Sequence, residues 1–314
     1  MSRSTRRLLP DGAILEYFTD IEGNYSYFQS LVARSSVLHT DPDGALALRE
    51  QCFLVFGGDV CDRGSGDIRI TKALTALKRR YPERVVLIAG NRDVCKLRFG
   101  SEMQPDEEPG AGDVHWDYKF ATYLTDRGLT ADRISGCKWL LCTMGCESLR
   151  GRTLTFELRR QELSLLGMNA DDSAVAESFF ASVDPASADP WLLEYLRECD
   201  LVAIVGDCMF VHSGFDKASL AAADVVQPPP PPYNVPPYDT LPYPTDVPPG
   251  VAATGAAPAD ALDAWAAASR RWLVDQLDAY SVQPRWKVAQ TERSSPCSLT
   301  RGAGTLAYFC TWSQ

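Results

Sequence analysis

Short runs of β-branched and aromatic residues, alternating with longer segments of helical period, constrain this chain more than any other feature. Residues 13–19, Ala-Ile-Leu-Glu-Tyr-Phe-Thr, read as a strand, and residues 25–37, with Phe28, Leu31 and Val32 on one face, read as the helix that follows. Residues 52–56, Cys-Phe-Leu-Val-Phe, make a second strand. Ile70, Leu74 and Leu77 then mark the buried stripe of a helix that ends before Pro82, and residues 84–89 make a third strand. Strands separated by helices predict a largely parallel sheet with helices packed on its faces, so the fold class is α/β.

Beyond this spine the pattern changes. Residues 101–113 are acidic and rich in Pro and Gly, which predicts an exposed loop. Residues 118–197 are mainly helical, with helices at 152–166 and 191–197, and read as a helical insertion. Strand character returns at 201–205 and 209–211, around the turn residues Gly206-Asp207-Cys208. Between 228 and 249, 11 of 22 residues are proline, which prevents a regular helix or central strand and favours an extended loop. Tyr233, Tyr238 and Tyr243 within it would suit a proline-binding module, or would pack on their own protein. Leu262, Trp265, Ser269, Trp272, Leu273, Gln276, Leu277 and Tyr280 recur at helical spacing, which predicts a core-packing helix over 258–280. Residues 294–314 show no periodicity. The expectation is a single domain over residues 1–314, with its motif-bearing spine at 13–215.

Composition narrows the function. With 31 Lys+Arg against 41 Asp+Glu the formal charge is −10, which argues against nonspecific nucleic-acid binding. At 45% hydrophobic and 23% charged residues the chain can bury a substantial core. It has no apolar run of membrane-spanning length, and its Ser/Arg-rich start lacks the apolar segment of a secretory signal. The ten cysteines are scattered and several sit inside apolar runs, so buried free thiols and a cytoplasmic setting are expected. Cys142 and Cys146 have neither a second pair nor a histidine at zinc-finger spacing.

Four segments end strands and carry groups that bind hard or borderline metal ions. They are Asp20-Ile21-Glu22-Gly23-Asn24, Gly57-Gly58-Asp59-Val60-Cys61-Asp62-Arg63-Gly64, Gly90-Asn91-Arg92-Asp93 and Val211-His212-Ser213-Gly214. In an open α/β sheet such loops gather at the carboxyl ends of the strands, where ligands bind. In order and wording these segments resemble the metallophosphoesterases of the calcineurin-like superfamily, with a leaning to the phosphoprotein phosphatase branch. That family's signature is Asp-x-His-Gly, Gly-Asp-x-x-Asp-Arg-Gly, Gly-Asn-His-Asp/Glu, a His before Gly-Gly, and one further His. The second block matches completely over residues 58–64; the others match in part.

The resemblance implies a metallophosphoesterase-type β-sandwich flanked by helices. It also implies a divalent-metal-dependent phosphoesterase that hydrolyses a phosphomonoester, on a small metabolite or a phosphoprotein, by metal-bound hydroxide. Carried over, Asp20 binds metal one, Asp59 bridges two metals, Asn91 and His212 bind metal two, and Arg63 holds the phosphate. Two cations about 3.5–4 Å apart can activate a bridging water and neutralise phosphoryl oxygens.

Three departures follow. The family's first-block His is Glu22, so metal one would see Asp20, Glu22 and Asp59. That set favours Mn²⁺ over zinc, with Mg²⁺ or Fe as other candidates. Arg92 stands where the family has its acid His; it cannot release a proton near neutral pH, though it can stabilise charge, and Asp62 would pair with it. The only histidines are His39, His115 and His212, so the family's last ligand is missing. His39 reads as a surface-turn residue; metal two would be completed by water or another residue, with His115 as one candidate substitute ligand. The alternative function is a catalytically silent phosphatase fold that binds phospho-ligands or recruits partners through residues 228–249.

Overall fold

The computed structural model describes residues 6–102, 120–146, 154–212, 258–282 and 284. Its strands are β1 (Arg6–Arg7), β2 (Ile14–Phe18), β3 (Leu38–Thr40), β4 (Leu46–Leu48), β5 (Cys52–Phe56), β6 (Val85–Leu87), β7 (Val202–Val205) and β8 (Cys208–Val211). Its helices are α1 (Tyr25–Arg34), α2 (Asp67–Arg80), α3 (Asn91–Cys95), α4 (Arg98–Ser101), α5 (Phe120–Arg127), α6 (Arg133–Thr143), α7 (Leu154–Leu165), α8 (Asp172–Ala181), α9 (Trp191–Glu198) and α10 (Pro258–Val282). The expected loop at 228–249, His115, Tyr233, Tyr238, Tyr243, the tail at 294–314 and most of the 101–113 loop lie outside the described residues.

The three predicted strands form one parallel sheet in the order β2-β5-β6, with Ile14 opposite Cys52 and Leu54 opposite Val85. Central β5 is buried along its whole length, which is why it reads as an unbroken apolar run, whereas edge strand β2 stays partly exposed until Phe18 at its end. A second three-stranded sheet has the order β1-β7-β8, and an isolated parallel bridge between Ile88 and Asp200 ties it to β6. Strand alternation sends Leu54, Phe56, Val85 and Leu87 into the large helix-covered core, and Val55, Val86 and Ile88 to the other face. There they meet Ala203 and Val205 of β7, and Tyr17 stacks on Phe210 of β8 at 5.5 Å between ring centroids. The α/β sandwich expected from the sequence is therefore present, and the turn at Gly206-Asp207 joins β7 to β8 as an antiparallel hairpin.

Two elements were not legible in the pattern. The β3–β4 hairpin closes around Asp41-Pro42-Asp43-Gly44, and its three-residue strands are too short to show a period. His39 lies in β3 with its Nε2 3.1 Å from Asp41. β1 consists of two arginines paired to β7. Its charges are met by distant partners, Asp263 of α10 for Arg6 at 2.8 Å and Asp200 for buried Arg7 at 3.4 Å.

Helices α5 to α9 occupy the stretch read as mainly helical and pack through Phe120, Trp139, Phe156, Phe179 and Tyr195. Helix α10 buries Trp265, Ser269, Leu273, Leu277 and Tyr280, the stripe its spacing predicted. The Tyr280 hydroxyl donates to the Leu97 carbonyl at 3.1 Å, bracing the corner between α3 and α4. Among the described residues no helix is long and apolar enough to cross a membrane.

Candidate metal centre

Because β2, β5 and β6 are parallel, their carboxyl ends lie on one edge, and the loops leaving them converge there. The loop after β2 carries Asp20 and Glu22, the loop after β5 carries Asp59, Asp62 and Arg63, and α3 after β6 carries Asn91, Arg92 and Asp93. The end of β8 brings His212. Backbone hydrogen bonds zip the first two loops together: Asp20 N–H to Gly58 at 3.0 Å, Glu22 N–H to Asp59 at 3.0 Å and Gly23 N–H to Val60 at 2.7 Å. Buried Ile21 anchors the first loop between its two acids.

This backbone is strained where the chemistry sits. Among the described residues five that are not glycine have positive φ, and four of them are Asp20, Glu22, Asp59 and Asp62. Such conformations cost on the order of 1–3 kcal/mol each and persist only where the surroundings enforce them. Gly58 has φ +101°, and a Cβ there would stand 2.8 Å from both His212 Nδ1 and the Gly90 backbone. Buried Asp93 holds the junction by accepting from the backbone N–H groups of Gly90, Asp59 and Val60 at 3.0, 3.1 and 2.8 Å. Burial, then the neighbouring Asp59 charge, pushes its carboxyl up to about 7.

One side of the site is a cluster of donors. Asp20, Asp59 and His212 each offer an atom, and these atoms lie within 4.8 Å of one another. His212 Nε2 is 3.3 Å from Asp59 Oδ1 and 3.0 Å from Asn91 Oδ1, while Nδ1 meets the Gly57 carbonyl at 2.8 Å. An Nδ1–H donating to that carbonyl leaves Nε2 to face the cluster. Burial opposes the charged imidazole, but the Asp59 hydrogen bond and charge and the Gly57 carbonyl outweigh it and raise His212 to about 9. A metal ion binding through Nε2 would compete with a proton there. Two carboxylates, an imidazole and an amide oxygen suit a hard or borderline divalent cation, so Asp20, Asp59, Asn91 and His212 fit one.

The other side is already supplied with cations. Glu22 does not join the donor cluster; its Oε1 meets Arg92 Nε at 2.8 Å and its Oε2 meets Arg63 Nε at 3.3 Å. Arg92 also reaches Asp59 Oδ2 at 3.6 Å and Asp62 Oδ2 at 3.3 Å, the latter being the pairing the sequence suggested. Fully buried Asp62 is held by Lys96 Nζ at 2.6 Å and accepts from Cys146 Sγ at 3.1 Å. Its burial favours the neutral acid, but Lys96, Cys146 and Arg92 overcome this and keep the carboxyl below the usual range. For Glu22 the balance runs the other way: burial outweighs the two arginines and raises it. Arg63, 59% exposed in its side chain, stands at the mouth.

Sequence reasoning missed Lys96, Cys146 and the bracing role of Asp93. Lys96 follows Arg92 by four residues, so helical spacing alone would have placed both on one face. Nothing local marks Cys146, whose partner lies 84 residues away.

Residues 17–180 match the family of calcineurin-like phosphoesterases, a range that contains every site residue except His212. No curated protein matches the chain. Similar solved structures include a cold-active protein-tyrosine phosphatase of a psychrophilic Shewanella species, at 16% identity and a TM-score of 0.31 over 69% of this chain and 48% of that one. Another is a protein serine/threonine phosphatase from Saccharomyces cerevisiae, at 11% identity and a TM-score of 0.28 over 64% and 39%. The chain spans less than half the length of either.

Proposed function

This chain belongs to the calcineurin-like phosphoesterase family, and on that premise we propose that it hydrolyses phosphomonoesters with the help of a bound divalent cation. The observation that carries the reading is the convergence of Asp20, Asp59 and His212 at the strand ends, with Asn91 against His212. A cation held there, Mn²⁺ by donor type or Mg²⁺, supplies Lewis-acid activation of water and of a phosphoryl oxygen.

The chain's own groups do the rest. Arg63 reaches into solvent from the rim, where its planar fork can take two oxygens of an incoming phosphate. Arg92 lies deeper, fixed by Asp62 and Glu22, and presents positive charge where the transferred group gathers negative charge. Neither arginine can protonate a leaving oxygen at neutral pH. With arginine where the family has its acid, a leaving group that departs as an anion or takes its proton from water is favoured, and with it acidic leaving groups. A positioned general acid contributes on the order of 10²–10⁴-fold, so aryl phosphates should outrun alkyl phosphates by about that factor. The reading is tested with a series of aryl and alkyl phosphates, with Mn²⁺ and with chelator. Turnover that survives full chelation, or that ignores leaving-group acidity, contradicts it.

The buried pairing of Arg92 with Glu22 and Asp62 also favours a second reading, a fold that binds phosphorylated ligands without turnover. Partner recruitment through the proline-rich residues 228–249 would accompany it. Binding of a phosphorylated ligand by a chain inert toward the whole substrate series would select this alternative. The eight described cysteines are free thiols, six of them buried, which supports a reducing compartment such as the cytoplasm.

A further inference from the structure

We propose that the Arg92 guanidinium is a resident cation standing where the family places one of its two metals, so that this site loads a single divalent ion. The inference rests on the phosphoesterase reading above. It departs from the pair of cations that the sequence resemblance implies.

The geometry is that of a bridging carboxylate whose second partner is a guanidinium. Asp59 turns Oδ1 toward His212, at 3.3 Å from Nε2, and Oδ2 toward Arg92, at 3.6 Å from Nε. Glu22, which by sequence would complete the first metal, gives its Oε1 to the same Arg92 nitrogen at 2.8 Å and its Oε2 to Arg63. A metal ion at that position would compete with the guanidinium for both carboxylates. The guanidinium is not easily moved: its side chain is 4% exposed, Asp62 holds it at 3.3 Å, and Lys96 fixes Asp62 in turn at 2.6 Å. Breaking a buried, hydrogen-bonded ion pair by losing one partner leaves an uncompensated buried charge and is strongly unfavourable.

The built-in cations point the same way: Arg63, Arg92 and Lys96 stand against Glu22, Asp59 and Asp62, so the acids on that side of the site already face positive charge. A guanidinium cannot coordinate water, but its fork can hold phosphoryl oxygens, so the division of labour would be one metal for activation and one arginine for charge.

The test is Mn²⁺ stoichiometry by elemental analysis with electron paramagnetic resonance on the full chain, comparing wild type, Arg92→Ala, and Arg92→Ala combined with Glu22→Gln. We expect about one Mn²⁺ per chain in wild type, about two with exchange-coupled spectra in Arg92→Ala, and a return to one in the double variant. Two ions in wild type, or a count that stays at one in Arg92→Ala, overturns the inference while leaving the phosphoesterase reading intact. No ion in wild type sinks the metal-dependent reading itself. Should Arg92→Ala not fold without metal, refolding it with Mn²⁺ reads the same quantity. Rescue accompanied by two bound ions supports the replacement, and failure to be rescued counts against it.

Discussion

The two sides of the site are made from similar residues and do different things. On the Asp20, Asp59, Asn91 and His212 side, donor atoms converge into a cluster that could hold a cation from outside. On the Glu22, Asp62, Arg63, Arg92 and Lys96 side, each acid is already met by a cation of the chain. A carboxylate attracts a metal strongly only where the protein has not already neutralised it, so residue type alone does not identify a ligand. Glu22 illustrates the point: its donor type qualifies it as a ligand, and in the structure its two oxygens face Arg92 and Arg63.

The change expected to disrupt both sides at once is Asp59→Asn, since Asp59 is the shared carboxylate. Turnover should fall by about 10³-fold or more, and bound Mn²⁺ should be lost from the purified protein. A neutral amide that kept metal and rate would mean the bridge between the two sides is not used. Lys96→Met strikes one side only. It leaves Asp62 buried with Arg92 as its remaining close cation, so urea unfolding should register a loss of about 3–5 kcal/mol while the Mn²⁺ count is unchanged.

These two variants also mark how far the sequence could be read. The Gly-Asp-x-x-Asp-Arg-Gly block announced the fold, because its glycines and acids are demanded by local backbone geometry: the same acids hold positive φ, and Gly58 leaves no room for a side chain beside His212. The parallel sheet was legible for a related reason, since strands buried on both faces write continuous apolar runs. What the sequence concealed depends on contacts between distant segments. The turn of Glu22 away from the donor cluster follows from Arg92, 70 positions on, and the Cys146 contact joins segments 84 residues apart. The two-arginine β1 reads as polar until Asp200 and Asp263 are brought to it.

The remaining predictions sharpen the contrast. His212→Ala should weaken Mn²⁺ binding by about 100-fold, seen by isothermal titration, with Arg92 and its partners undisturbed. In the wild type a proton competes for the same imidazole. As pH rises toward about 9, apparent Mn²⁺ affinity should climb by up to tenfold per pH unit and then level off. The metal-free protein should show the opposite trend. A histidine raised in the folded state gives stability that is complete below its unfolded pKa of about 6.5 and is lost as pH rises through about 9. Thermal melts across that window, with and without Mn²⁺, should therefore diverge. The smallest effect belongs to Arg63→Ala: with an exposed side chain it should leave stability within about 0.5 kcal/mol, while KM for an aryl phosphate rises about tenfold.

The most direct measurement is a crystal structure of the full chain soaked in Mn²⁺, with anomalous scattering to locate the ion. One peak among Asp20, Asp59, Asn91 and His212, with Arg92 still against Glu22, is the expected result. Two peaks with Glu22 turned onto metal and Arg92 displaced would show that the guanidinium side is a second metal site after all. No peak among those four residues would contradict the metal centre itself.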